Sequence, residues 1–405
     1  MPAQRETAVT AAINKERLLS DLFGQGRIGW HAGKGMQRAA YSEAYAEARE
    51  WFEGKMRAAG LKTRVDGVGN LFGRLEGRSR RTIMMGSHLD SVDNGGIYDG
   101  PLGVAAALEV IRSIKESGAA PEHSLEVGAF IGEEGEPLGG TFGSRAFAGL
   151  LPSGYRRETL DGFGVSEEAV TASKGNLANY AAFFELHIEQ GPFLERRGLQ
   201  IGVPFGIVGV TRLNITVKGE ANHAGTTPMA ERKDAMRAAA DFIHSWFEWM
   251  DGRQNMVCNV GVLEALPGHV SVVPGEVRFV LELRSVDDSL VKAASVKALE
   301  MSKMLSPCSA LVETLGAKPA VMLDERLVKM IKESAAKAGF SAALMPSGAS
   351  HDSSPIAHVM PTGMIFVPSH NGVSHSKDEF TSEEDLLRGV ELLKYVVCEA
   401  DRRLE

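Results

Sequence analysis

Four short apolar runs, each ending on histidine or acidic residues, constrain this chain more than any other feature. Thr82-Ile83-Met84-Met85 runs into Gly86-Ser87-His88-Leu89-Asp90-Ser91, and Asp99 follows His88 by eleven residues. Residues 124–131 lead into Gly132-Glu133-Glu134-Gly135, and residues 181–184 into Glu185-Leu186-His187-Ile188-Glu189-Gln190-Gly191. Residues 359–368 lead into Ser369-His370-Asn371-Gly372-Val373-Ser374-His375. Apolar runs of this length read as strands buried on both faces. Open α/β sheets place ligands at the carboxyl ends of such strands. One histidine behind one strand is ordinarily a hydrogen-bonded structural residue. Four strands that deliver such groups at the same end point to one shared site.

Imidazole and carboxylate donors without thiolate suit Zn, Mn, Co or Ni ions engaged in hydrolysis. His88, Asp99, Glu134, His187 and His375 are too many ligands for one catalytic zinc. Two divalent ions sharing a bridging carboxylate account for them, with Asp99 as the bridge. His88 and His187 then complete one ion, and Glu134 and His375 the other. Paired ions bring the pKa of a shared water to about 7. Adjacent side chains diverge, so Glu133 faces the open cavity when Glu134 points at a metal, and is expected to act as the general base. Asp90 is expected to accept the second imidazole N–H of His88. A Glu-Glu pair alone would read as an exposed acidic loop, but this one follows a buried strand.

A chain of 405 residues exceeds one ordinary core, so two domains are expected. Residues 12–61 read as helical, with Gly60 ending the second helix. Strand candidates follow at 63–65 and 70–74, and a buried helix at 100–117. The texture changes at 211–218, where Leu213, Ile215 and Val217 alternate with polar residues. A helix at 233–250, strands at 255–264 and 276–285, a helix at 289–304 and a strand at 310–315 complete an antiparallel α+β unit, ferredoxin-like in outline. The expected division is a catalytic domain from 1–210 and 321–405, interrupted by 211–320. A net charge of −8 without a basic stripe argues against a nucleic-acid partner. No apolar run approaches the roughly 18 residues that span a bilayer. Cys258, Cys308 and Cys398 lie far apart and suit a reduced compartment. Residues 1–14 lack a signal-peptide h-region, so a cytoplasmic address is expected.

Further motifs sharpen the reading. Gly-Ser-His-Leu-Asp-Ser at 86–91, Tyr98-Asp99-Gly100, Glu133-Glu134-Gly135, His187-Ile188-Glu189-Gln190-Gly191-Pro192 and Asn222-His223-Ala224-Gly225-Thr226-Thr227-Pro228-Met229 occur in that order. Together they resemble the M20-type metallohydrolases, and within them the hydantoinase/carbamoylase amidases: N-carbamoyl-L-amino-acid hydrolases, β-ureidopropionase-like enzymes and allantoate amidohydrolases. The resemblance implies an α/β fold, with a mixed-sheet zinc-hydrolase catalytic domain and an inserted ferredoxin-like lid that carries a homodimer contact. It implies two Zn or Mn ions per subunit, with His223 stabilising the oxyanion in its own or the partner subunit's site. Arg212 and Arg284 match the arginines that hold the substrate carboxylate, and Gln190 lines the same pocket. Ser347-Gly348-Ala349-Ser350-His351-Asp352 resembles the Ser-Gly-Ala-Gly-His-Asp loop, in which His351 either contacts substrate or orders the loop.

Three departures fall where substrate is chosen: Ser271 replaces a polar-binding Asn, Pro137-Leu138 replaces Arg-Phe, and Ser350 replaces Gly. The implied reaction is cleavage of a linear amide C–N bond in a small carboxylate-bearing substrate. An N-carbamoyl-L-amino acid is the first choice, giving amino acid, CO2 and ammonia. Allantoate and an N-acyl amino acid or dipeptide are the alternatives within the class. Outside it stands a non-catalytic metal-dependent binder of amino-acid derivatives, which would have no use for Glu133.

Overall fold

The computed structural model describes residues 12–135 and 137–404. The remaining N-terminal residues of the 1–14 reading lie outside the described residues. The chain divides into two compact units, one built from the segments up to Phe205 and from Met322 onward, the other from Gly206–Val321.

The first unit is organised on a nine-stranded mixed sheet. At its centre Thr362–Val367, Tyr180–Ile188, Thr82–His88 and Ser124–Phe130 lie side by side and parallel. Every residue of these four strands is buried. That burial is why they read as continuous apolar runs rather than alternating ones. Leu71–Leu75 and Lys62–Val65 extend the sheet antiparallel at one side. The helix Pro101–Glu116 is buried along all but its last two residues, which explains its nearly unbroken apolar sequence. Asn14, Ser42 and Ser382 cap the helices Lys15–Gln25, Glu43–Ala58 and Glu383–Arg403 by accepting backbone N–H groups of their first turns.

Two sequence expectations are corrected here. Residues 12–61 are not helical throughout: a two-stranded hairpin, Trp30–His31 with Gly35–Met36, separates the helices. Gly29, Gly33 and Gly35 all adopt positive φ there, which no helix tolerates. The strand expected at 181–184 continues to Ile188. Its charged residues stay in the sheet because Glu185 is satisfied inside the protein, accepting from Ser87 Oγ at 2.7 Å and from Ser353 N and Oγ at 2.8 and 2.7 Å.

The second unit is a four-stranded antiparallel sheet in the order Met256–Leu266, Glu276–Ser285, Gly209–Lys218, Ser309–Lys318. Helices Ala235–Met250 and Asp288–Ser302 cover one face, giving the strand-helix-strand-strand-helix-strand order of a ferredoxin-like unit. Leu213, Ile215, Val217, Phe279 and Leu281 pack there against Phe242, Trp246 and Ala294. Among the described residues no helix is long and apolar enough to cross a membrane.

Candidate metal centre

The carboxyl ends of the four parallel strands fall at one edge of the sheet, and the chain turns that follow carry the polar groups. His88 ends its strand and His187 lies one residue before the end of its own. Each donates Nδ1–H to a backbone carbonyl: His88 to Asp90 O at 3.0 Å and His187 to Ile188 O at 2.9 Å. A carbonyl only accepts, so these bonds fix the Nδ1–H tautomer and turn both Nε2 lone pairs inward.

Asp99 receives them. Its Oδ1 lies 3.4 Å from His88 Nε2 and 3.1 Å from His187 Nε2, and its Oδ2 lies 3.4 Å from His375 Nε2. His375 Nε2 is also 3.3 Å from Glu134 Oε2. The donors thus form two sets that share Asp99: His88, Asp99 and His187 in one, Asp99, Glu134 and His375 in the other, with ligand atoms mutually within 4.8 Å. His187 Nε2 and Glu134 Oε1 are buried without a hydrogen-bond partner. With the His187 proton held on Nδ1, its Nε2 and Asp99 Oδ1 face each other lone pair to lone pair. Two acceptors at that distance require a cation between them, either a proton or a metal ion. The set of nitrogen and oxygen donors fits a divalent ion.

Electrostatics report the same crowding. Burial alone would raise Asp99, but His187, His375 and His88 hold it well below the usual carboxylate range. Burial raises Glu134 to about 7, with Asp99 adding to the rise. The Asp99 hydrogen bond lifts His375 to about 9. Glu133, 4.0 Å from His88 Nε2, is pushed well above the carboxylate range by burial and by the Glu134, Asp352 and Asp90 charges, against the pull of His88.

Gly100 makes the close approach of Asp99 and His88 feasible. It caps the Pro101–Glu116 helix at φ 85°, and a Cβ on it would stand 2.5 Å from the His88 ring.

Asp90 acts otherwise than expected. Its carboxylate stays 4.0 Å from His88 Nδ1, while its own backbone carbonyl takes the ring proton. The carboxylate instead accepts the N–H groups of Gly132, Glu133 and Glu134 at 2.7, 3.3 and 3.1 Å. It therefore fixes the loop that carries both glutamates. Of the two roles open to His351, its surroundings favour ordering the loop: it is 1% exposed, bonded to Ser347 Oγ, with its ring 4.5 Å from that of His187. Burial and the neighbouring His187 push it well below its ordinary pKa, so it stays neutral. Gln190 sits on the donor cluster itself, giving Nε2–H to Asp99 Oδ2 at 2.6 Å from a backbone at φ 60°.

The remaining candidates belong to the Gly206–Val321 unit. His223 lies on a short strand paired with Val272–Val273, which brings it beside Ser271; Ala224 N donates to Ser271 O. Its Nδ1 accepts the N–H groups of Gly225 and Thr226 at 3.1 and 3.2 Å, leaving the ring proton on Nε2. Arg212 and Arg284 each direct Nε at Glu282, at 2.7 and 2.8 Å.

Sequence reasoning passed over Glu379 and Arg38. Arg38 is fully buried and donates Nε–H to Leu89 O at 2.7 Å, bracing the turn behind His88. Glu379 touches the Asp99 turn directly. Its setting, Ser376-Lys377-Asp378-Glu379, carries the pattern of a solvated loop, and only its place four residues past His375 marks it.

A fold of this kind, with paired donor sets at the ends of parallel strands, defines a class of metallohydrolase. Residues 84–399 match the family described as Peptidase family M20/M25/M40, and the chain belongs to that family. It is a metal-dependent amide hydrolase. It is 38% identical over 403 residues to an N-carbamoyl-L-amino acid amidohydrolase of Geobacillus stearothermophilus, covering 95% of this chain and 98% of that one. It is 35% identical to the allantoate amidohydrolase of Bacillus subtilis, covering 91% and 93% of the two chains. A hydantoinase/carbamoylase family amidase from Burkholderia multivorans superposes with a TM-score of 0.88 at 29% identity, over 96% of this chain and 98% of that one.

Proposed function

We propose that this protein is a dinuclear amidohydrolase that cleaves N-carbamoyl-L-amino acids to the L-amino acid, CO2 and ammonia in the cytoplasm. The observation that carries the reading is the pair of donor sets sharing Asp99, with Glu133 beside them in neither set. End-to-end identity to a carbamoylase supports the substrate class. His88, His187 and Asp99 would hold one Zn or Mn ion, and Asp99, Glu134 and His375 the other; Co and Ni suit the same donors.

Ions bound there would supply Lewis-acid polarisation of the scissile carbonyl and a water whose pKa is lowered to about 7. Glu133 takes the proton of the attacking water at a carboxylate oxygen. The ureido carbon gains the water oxygen, its bond to the amino-acid nitrogen breaks, and Glu133 returns the proton to the leaving nitrogen. The carbamic acid released decomposes to CO2 and ammonia. His223, with its proton on Nε2, is the donor to the oxygen that gains charge. Arg212 and Arg284 bind the substrate carboxylate, for which guanidinium is the fitting donor. Gln190 and Ser271 contribute polar contacts to substrate.

In this reading the 206–321 unit is a lid and carries the homodimer contact. The edge strand Met256–Leu266 supports the dimer, because it exposes Val257, Val262 and Leu263 along an unextended sheet edge. Allantoate is the second reading, favoured by the Bacillus subtilis relative.

The test is a panel of N-carbamoyl, N-acyl and dipeptide substrates plus allantoate, assayed on apo-protein refilled with Mn or Zn. The highest kcat/KM is expected on an N-carbamoyl-L-amino acid. Turnover of allantoate alone would reassign the substrate. No turnover at all by metal-replete protein would establish a non-catalytic binder.

A further inference from the structure

Two of the three chain segments that build the second donor set, the Tyr98-Asp99 turn and the loop that carries His375, place their donors 276 residues apart. The two sets differ in how they are held. His88 and His187 sit on buried strands with each Nδ1 tied to a carbonyl. His375 stands on a loop, its side chain is 50% exposed, and its backbone is at φ 53°, where a non-glycine residue is strained. Something outside the donor atoms must keep this loop against Asp99.

Glu379 is placed to do so. It is 6% exposed, and its Oε1 accepts the backbone N–H groups of Tyr98 and Asp99 at 3.0 and 3.2 Å. Its Oε2 lies 3.0 Å from Ser374 Oγ, the hydroxyl of the residue before His375, which is itself 3.1 Å from Asp99 Oδ2. Glu379 N donates to Ser376 O, so the loop from 374 to 379 closes on itself around this carboxylate. The fit is tight: a Cβ on Gly96 would fall 2.2 Å from Glu379 Oε1. A single carboxylate thus spans the backbone that presents Asp99 and the loop that presents His375.

We propose that Glu379 is a positioning residue that latches the His375 loop to the Asp99 turn and so sets the affinity of the ion held by Asp99, Glu134 and His375. The inference rests on the dinuclear reading given above. It predicts an asymmetry, because the His88 and His187 set owes nothing to Glu379 beyond the shared Asp99.

The experiment counts metal. Wild-type protein, Glu379→Ala, Glu379→Gln and Ser374→Ala are each equilibrated in Zn buffered across a range of free concentrations. Bound metal per chain is measured by mass spectrometry, alongside the unfolding temperature of the metal-free form. Wild type should take up two ions. Glu379→Ala should keep one at near wild-type affinity and bind the other at least 10–100-fold more weakly, the range found for partners that orient metal ligands. Glu379→Gln keeps an acceptor for the two N–H groups and should recover most of the loss. Ser374→Ala removes one arm of the latch and should weaken the same ion by a smaller factor. Two ions bound by Glu379→Ala at wild-type affinity overturn the proposal. If Glu379→Ala does not fold, unchanged affinities in both folded variants, Glu379→Gln and Ser374→Ala, overturn it equally. A wild type that binds a single ion overturns instead the dinuclear reading.

Discussion

Replacing Gly100 by alanine tests whether the backbone of the Asp99 turn sets the metal centre. The new Cβ would stand 2.5 Å from His88 Cε1 and Nδ1 and 2.6 Å from Nε2. Carbon atoms settle about 3.5–4.0 Å apart, so the ring must retreat by roughly 1 Å. It has nowhere to go without losing its bond to Asp90 O, since the side chain is 1% exposed. The strained φ costs about 1–3 kcal/mol and the overpacking another 1–3 kcal/mol or so. That is a large share of the roughly 5–15 kcal/mol by which domains are stable, yet within it. Gly118→Ala is the matched control, because Gly118 also has positive φ, 74°, but no atom lies within 4 Å of its added Cβ. Metal per chain and affinity are measured by titration and mass spectrometry, and stability by thermal unfolding of the apo-protein. Gly100→Ala should weaken the ion on His88 and His187 at least about 10–100-fold, as loss of ligand orientation does. Gly118→Ala should lose about 1–2 kcal/mol of stability and no metal. Equal metal affinity in the two variants would refute the reasoning.

Asp90→Ala orphans three buried or half-buried N–H groups of the 132–134 loop, each worth about 1–3 kcal/mol. It should lower kcat sharply and the unfolding temperature by several degrees, whereas Asp90→Asn, which keeps one acceptor oxygen, should recover part of both; a variant with normal turnover would contradict the role given to this carboxylate. Asp401 gives a pH prediction away from the site. Burial pushes its pKa up, but hydrogen bonds from the side chain and N–H of His123 and the N–H of Glu122 bring it below the ordinary value. A depressed native pKa gives stability that is present above the unfolded value of about 3.9 and disappears as pH falls through the native one. The urea midpoints of wild type and Asp401→Asn should therefore differ at pH 6 and converge below about pH 4. A gap independent of pH would count against the ionised pairing.

The central strands were legible because burial on both faces leaves unbroken apolar runs such as Ile83-Met84-Met85. The Gly206–Val321 unit was legible for the opposite reason: one covered sheet face makes Leu213, Ile215 and Val217 alternate with polar neighbours. Convergence of the donors followed from where those strands stop. What the sequence hid are contacts made by groups with more than one acceptor or partner to choose from. His88 Nδ1 chose the Asp90 carbonyl rather than its carboxylate, a choice of a few ångströms that spacing does not encode. Glu185 looked like the end of a strand because its partners, Ser87 and Ser353, come from distant segments. Glu379 is silent in the sequence for the same reason, since what buries it is a turn 280 residues upstream.

The measurement that bears most directly on the account is made on Glu133→Gln. The amide keeps the shape of the side chain and removes its ability to take a proton, while every donor in the two sets stays in place. Metal content and turnover of the best substrate are measured on the same preparation. The account predicts two ions per chain, an unchanged unfolding temperature and a loss of kcat of at least about 10²–10⁴-fold, the contribution of a general base. Loss of one ion with Glu133→Gln would contradict it, and would show that Glu133 rather than Glu134 is the ligand.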